Sequence, residues 1–206
     1  MLFKQTHEVT DALKNIATQV NNGVEIEDVD KLRGAALDQL LYNAVLNPTA
    51  EIKGLSRFLI KSAAIELGIV TSSIQGFYDA RGRGEVKGFT VPALNIRGLP
   101  FELCRSIFRT ANKTNAGAFI FELAKSEMGY TFQKPSELST VILAAAIKEG
   151  YTGPVFIQGD HFQANVKNYA QDPAKEVAGI KDLIKSGIDG GFYNIDIDTS
   201  TLVDLS

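Results

Sequence analysis

The chain has 206 residues, 45% of them hydrophobic and 22% charged, with a formal net charge of -3. That balance supports a buried core and excludes the basic field that draws a protein to nucleic acid. The single cysteine, Cys104, excludes an internal disulfide. No run is apolar enough to span a bilayer, and the opening residues lack a signal peptide's apolar stretch, so a reducing, cytoplasmic setting is expected.

Val9, Leu13, Ile16 and Val20 share one face at helical spacing and predict a helix over 8–20, ended by Asn21-Asn22-Gly23. A second helix is expected over 27–46, with Val29, Leu32, Ala36 and Leu40 in its stripe and Asn47-Pro48 as its stop. Thr49 caps a third, along which Ile52, Leu55 and Leu59 align before Gly68. Ser72 or Ser73 caps a short fourth over 74–80. Residues 1–80 are thus expected to form a helical region without a strand. Residues 81–88 read as a glycine-containing connector; a phosphate-binding loop would follow a strand, whereas this segment precedes one.

After the connector the pattern alternates. Strands are expected over 89–96, 118–123, 155–157 and 192–197. Helices fall between them: one over 102–111 carrying Cys104, Ile107, Phe108 and Ala111 on one side, and two opened by Pro135 and Pro173. Residues 125–134 read as a polar loop. Such alternation implies a parallel sheet. Polar groups at every strand's carboxyl end also suit a (β/α)8 barrel, which takes eight strands and about 250 residues. The fold expected is α/β: the N-terminal half of a TIM barrel over 89–206, preceded by the helical region. Half a barrel leaves two open sheet edges, so the chain is expected to be truncated, to self-associate, or to be completed by a partner or a C-terminal half.

The chemistry gathers at the strand ends: Asn95 and Arg97, then Glu122 and Ser126, then Gln158, Asp160 and His161, then Asn194, Asp196 and Asp198. The chain has two histidines; His7 lies on a surface helix, leaving His161 as the usable imidazole. Alternation along Asn194-Ile195-Asp196-Ile197-Asp198 puts the polar residues on one face and both isoleucines on the other. Carboxylates with one histidine suit a metal site or acid–base work. Asp198 reads equally as a cap for Thr199-Ser200-Thr201, and Glu122 equally as the structural partner of Arg97. Catalytic zinc usually takes three protein ligands. With one imidazole, His161 with Asp196, Asp198 or Glu122 suits magnesium or manganese better, and zinc would need ligands from outside the chain.

A family resemblance follows from these segments. Residues 89–96, Phe-Thr-Val-Pro-Ala-Leu-Asn-Ile, resemble the first strand of the class II (metal-dependent) ketose-bisphosphate aldolases, where an Ala-x-Asn segment reaches the substrate. Residues 155–162, Val-Phe-Ile-Gln-Gly-Asp-His-Phe, resemble their third strand, which ends in an Asp-His pair, and 194–200 resemble the end of the fourth. The resemblance implies aldol cleavage of a phosphorylated ketose, such as fructose or tagatose 1,6-bisphosphate, by the complete protein. Asp160 would then be the general acid/base, His161 a ligand to a divalent metal (zinc first, magnesium or manganese as alternatives), and Asn95 a substrate contact; Ser126, Asp196 and Asp198, on the same strand-end rim, are expected to contact substrate as well. Gln158 stands where many members have a histidine. Residues 122–135, with Ser126 and Gly129-Tyr130-Thr131, resemble equally the non-catalytic partner subunit of tagatose-bisphosphate aldolases, which implies the alternative role of stabilising a partner enzyme. A barrel enzyme using magnesium and carboxylates, such as a sugar-phosphate lyase, is the third reading.

Overall fold

The computed structural model describes residues 1–203; the last three residues of the barrel-like region expected over 89–206 lie outside the described residues. In chain order the elements are α1 (Thr6–Asp11), β1 (Ala17–Val20), β2 (Gly23–Ile26), α2 (Val29–Lys31), α3 (Leu37–Leu46), α4 (Ala50–Glu66), β3 (Ile69–Ser72), α5 (Gln75–Gly82), β4 (Ala93–Asn95) and α6 (Pro100–Thr114). They continue as β5 (Ile120–Ala124), α7 (Lys125–Thr131), α8 (Pro135–Lys148), β6 (Gly153–Asp160), α9 (Val166–Gln171), α10 (Pro173–Gly190) and β7 (Asn194–Ile195), followed by a single turn at Ser200–Leu202. Two compact units interleave along the chain: one holds 1–70, 99–117 and 137–154, the other 71–98, 118–136 and 155–203. No helix among the described residues is long and apolar enough to cross a membrane.

In the first unit α4 is the hub against which α1, β2 and α3 pack. Its buried face, Ile52, Leu59, Ile60 and Ala63, meets a core that includes Leu37, Leu40 and Ala44. Thr49 precedes α4 as expected but makes no side-chain cap; α2 runs into α3 across a kink at Gly34, whose ψ is -138°. Glu149 accepts from both Arg105 (2.7 Å) and Arg109 (3.1 Å). Cys104 is buried in α6, and desolvation pushes its thiol well above the ordinary range.

The expected helix over 8–20 is corrected here, and with it the expectation of a strand-free first eighty residues. Asn15 and Asn21 take positive φ, +59° and +21°, a conformation asparagine tolerates better than most residues. They convert the segment into a turn and then the antiparallel hairpin β1–β2, joined through Asn21-Asn22 with Val20 opposite Gly23. Val24 is 4% exposed, so burial on β2 decides what the helical spacing of Val9 to Val20 left ambiguous. β3 is a further strand within those eighty residues.

The second unit is built on a parallel sheet. β3, β6, β5 and β4 lie in that order, and β7 also pairs with β6. Among these, β4, β5, β6 and β7 are neighbours in chain order, and all three of their pairings are parallel. The register aligns Asn95 with Glu122, Glu122 with Gln158, and Gln158 with Asn194, so four polar residues form one row across four strands, each half-buried. On the opposite pleat the register aligns Leu94, Phe121 and Ile157, the last two fully buried. On the same face as the polar row, one pleat toward the amino ends, Ile120 and Phe156 pack with Ile74, Phe77 and Val91.

The strand expected over 89–96 shortens to three residues and that over 192–197 to two. Residues 125–134, expected as a loop, contain α7 instead. Its third residue, Glu127, reaches back to accept the Ala124 N–H at 2.9 Å, satisfying one of the amides that a helix start leaves free.

Candidate functional site

β6 carries its apolar run into Gly159, Asp160 and His161. Glycine is required at 159: a Cβ there would lie 2.4 Å from the ring of Phe162, which folds back beneath the strand end and is fully buried. The chain reverses through His161, whose φ of +44° is left-handed. Beyond the turn, Phe162 N–H and Ala164 N–H donate to the carbonyls of Asp196 and Asp198, each at 2.9 Å, while Asp196 N–H donates to Gly159 O at 2.9 Å. These bonds continue the β6·β7 pairing past both strand ends. They bring two carboxylates from the 196–198 segment to the imidazole.

Three contacts define the histidine. Its backbone N–H donates to Asp196 Oδ2 at 3.2 Å. Ring Nδ1 lies 3.1 Å from Asp198 Oδ2, and Nε2 lies 3.7 Å from Asp160 Oδ2. Hydrogen bonding to Asp198, then the charge of Asp160, raises the imidazole pKa above its ordinary value. Asp198 is held by three donors: its carboxylate accepts from the Ser200 N–H at 2.8 Å, from His161 and from Gln163 Nε2. Donation from Ser200 first, then from His161, holds its carboxyl far below the ordinary carboxylate range. It is therefore both the turn cap and a partner of the imidazole.

Asp160, His161 and Asp196 each offer one ligand atom, and these atoms lie within 4.8 Å of one another. The donor chemistry fits a divalent cation. With Asp198 engaging Nδ1, the ring's other nitrogen, Nε2, is the one left to face a metal, and a carboxylate on the far side of a metal-binding imidazole is the usual arrangement for fixing its tautomer. One nitrogen and two carboxylate oxygens suit manganese or magnesium, and zinc where further ligands join them.

A cavity of about 500 Å³ opens beside this cluster; Asn95, Arg97, Glu122, Ser126, Asp160 and His161 are among the residues lining it. Asp196 and Asp198 approach His161 from outside that lining. Glu122 contributes a carboxyl whose pKa is raised, by burial first and then by the charges of Asp160 and Glu127. The arrangement thus joins an ionisable carboxylate, a metal-competent cluster and a polar strand-end row in one place, which serves proton transfer at a ligand hydroxyl or polarisation of a carbonyl.

The ion pair considered between Arg97 and Glu122 is not the one formed. Arg97 Nε lies 2.5 Å from Oε1 of Glu127, and Oε2 of the same carboxylate takes Asn95 Nδ2 at 2.7 Å. Glu127 was missed in the sequence because Ala124 is not a capping residue, so no Ser-x-x-Glu pattern announces α7. The signal that would have found it is a glutamate three residues past a strand's apolar end. Gln163, also missed as a site residue, braces Asp198 from the turn that follows His161.

Comparison with protein-family models, with curated proteins and with solved structures finds no significant match to this chain.

Proposed function

We propose that this chain carries part of the active site of a class II aldolase-like enzyme, which cleaves a phosphorylated ketose by a metal-dependent retro-aldol reaction. The observation that carries the reading is the convergence of Asp160, His161 and Asp196 within 4.8 Å at the carboxyl ends of consecutive parallel strands. Support comes from the row Asn95, Glu122, Gln158 and Asn194. Half-buried polar residues at one register across four chain-ordered strands suit the interior of a (β/α)8 barrel, where ligands enter from the carboxyl ends. On this reading the four strands from β4 to β7 are the front half of such a barrel.

A divalent cation held by His161 and Asp196, with Asp160 beside it but free for proton transfer, would supply Lewis acidity toward the ketone oxygen. The chain's own residues do the rest. Asp160, lining the cavity, takes the proton of the hydroxyl adjacent to the bond that breaks. Asp198 holds the imidazole in orientation through Nδ1. Asn95 and Ser126 contact the sugar. Remaining ligands, and a second histidine in particular, come from outside this chain.

A second reading is favoured by one specific residue. Gln158 occupies the row position where many family members have a histidine, leaving one imidazole at the site, as would suit a non-catalytic subunit that stabilises an aldolase. Manganese titration followed by NMR, with a coupled assay for cleavage of fructose 1,6-bisphosphate, tests both. The aldolase reading expects paramagnetic broadening centred on His161 and Asp196, lost in His161→Ala, and chelator-sensitive cleavage once the missing ligands are supplied, lost in Asp160→Ala. Broadening without cleavage in the completed assembly leaves the subunit role, and absence of both overturns the metal site itself.

A further inference from the structure

Two cations line the cavity, and their situations differ. Lys125 Nζ lies 3.1 Å from both the Gln163 carbonyl and Glu176 Oε1, so its ammonium is already engaged. Arg97 stands two residues beyond Asn95 with its side chain 62% exposed. Its Nε lies 2.5 Å from Oε1 of Glu127, and among the described residues no ion pair joins it to another carboxylate.

Glu127 is built to hold that arginine. Its side chain is 9% exposed, and its second oxygen accepts from Ala124 N–H at 2.9 Å and Asn95 Nδ2 at 2.7 Å. Burial acts to raise its pKa, but the Ala124 and Asn95 donors and Arg97 outweigh burial and hold the carboxyl below the ordinary range. An anion fixed between the ends of β4 and β5 therefore anchors the guanidinium at one edge. The Asn95 amide is oriented by the same contact, with Nδ2 toward Glu127 and Oδ1 buried without a hydrogen-bond partner.

We infer that Arg97 takes a phosphate group of the ligand in this cavity, with Glu127 as the positioning residue that fixes the guanidinium and the Asn95 amide. The inference rests on the sugar-phosphate reading above and deepens it by assigning the anion contact to this chain. A planar guanidinium meets two phosphate oxygens with parallel N–H donors, whereas an ammonium offers a point charge and no fork. Lysine at this position would therefore keep the charge and lose the geometry.

Calorimetry in the presence of chelator, with fructose 1,6-bisphosphate, inorganic phosphate and unphosphorylated fructose as titrants, tests the assignment. The expected result is bisphosphate binding by the wild-type chain, weakened at least tenfold by Arg97→Gln and only partly restored by Arg97→Lys, with inorganic phosphate competing and fructose not binding. Circular dichroism of each variant reports whether the fold persists; Arg97 is exposed, so it should. For Glu127→Gln, the Arg97 Nε–H resonance, which phosphate should shift in the wild type, should lose that response, a readout that a merely structural role would not move. Unchanged affinity in Arg97→Gln, equal binding of fructose, or no bisphosphate binding by the wild type overturns the inference. Arg97-dependent binding without cleavage in the completed assembly would support this contact while ending the aldol reading, so the two fail separately.

Discussion

Asp198 and His161 form the central relationship of the site: Oδ2 of the aspartate stands 3.1 Å from Nδ1 of the imidazole. The contact joins residues 37 positions apart, and it exists because the turn after β6 and the segment after β7 remain hydrogen-bonded to each other beyond the sheet. It leaves Nε2, on the side of Asp160, as the nitrogen available to a ligand.

Replacing that carboxylate by its neutral isostere should lower the imidazole pKa. In Asp198→Asn the largest of the causes that raise it is removed while the Asp160 charge remains. An NMR titration of the His161 ring should show its midpoint moving down toward the ordinary value, and metal affinity should fall by about 10- to 100-fold, the usual cost of losing such a supporting carboxylate. An unmoved midpoint would show that Asp198 does not engage the ring.

The same pair predicts a pH window for stability, measured on metal-free protein. His161 has a raised folded pKa, so its contribution is fully present below the unfolded value of 6.5 and is lost as pH rises through the folded value. Asp198 has a depressed folded pKa, so its contribution is present above the unfolded value of 3.8 and is lost as pH falls through the folded value. The difference in urea midpoint between wild type and Asp198→Asn should therefore be largest between about pH 4 and pH 6.5 and shrink on both sides. A difference that is flat across pH would contradict the coupling.

Gly159 and Gly179 should respond oppositely to alanine. At 159 the new Cβ would lie 2.4 Å from the buried Phe162 ring, and displacing that ring should cost about 1–3 kcal/mol. At 179, exposed within α10, a Cβ meets nothing within 4 Å, and removing glycine from a helix interior should add about 0.5–1 kcal/mol. Denaturant titration of both variants checks the pair; equal shifts would mean that Phe162 does not occupy the space beneath Gly159.

Much of this was legible in the sequence where one strong local signal decided the structure. The apolar run Val155 to Ile157 marked β6, and Pro135 and Pro173 marked the starts of α8 and α10, because a proline's missing N–H does no harm in the first turn of a helix. Alternation from Asn194 to Asp198 anticipated two carboxylates on one side; Ile195, on the other, points its Cδ1 to within 3.3 Å of where a Gly187 Cβ would sit. What escaped depended on contacts distant in sequence or on backbone angles that residue type permits but does not announce. The hairpin required positive φ at Asn15 and Asn21, and helical spacing of its apolar residues disguised it. The sequence left Glu122 open as the partner of Arg97, because nothing in residue type separates Glu122 from Glu127. Only the formation of α7 brings the second of them back to the strand end.

The left-handed turn at His161 carries the last prediction. A non-glycine residue at φ +44° pays roughly 1–2 kcal/mol in contact between its Cβ and the backbone, and such strain persists where surrounding bonds fix the conformation. Here the Phe162 and Asp196 amides fix it from both sides. His161→Ala keeps the Cβ and its strain while losing the Asp198 contact. His161→Gly loses the same contact but removes the strain, at the smaller cost of about 0.5–1 kcal/mol in unfolded-chain entropy. The glycine variant should therefore denature at a higher urea concentration than the alanine variant, the stability gain being roughly 0.5–1 kcal/mol and at most about 1.5 kcal/mol, although both lose the imidazole and with it the metal-dependent NMR broadening. If alanine proves as stable as glycine, the turn is relaxed, and the histidine is held there by ordinary loop geometry instead of by a conformation maintained for its ring.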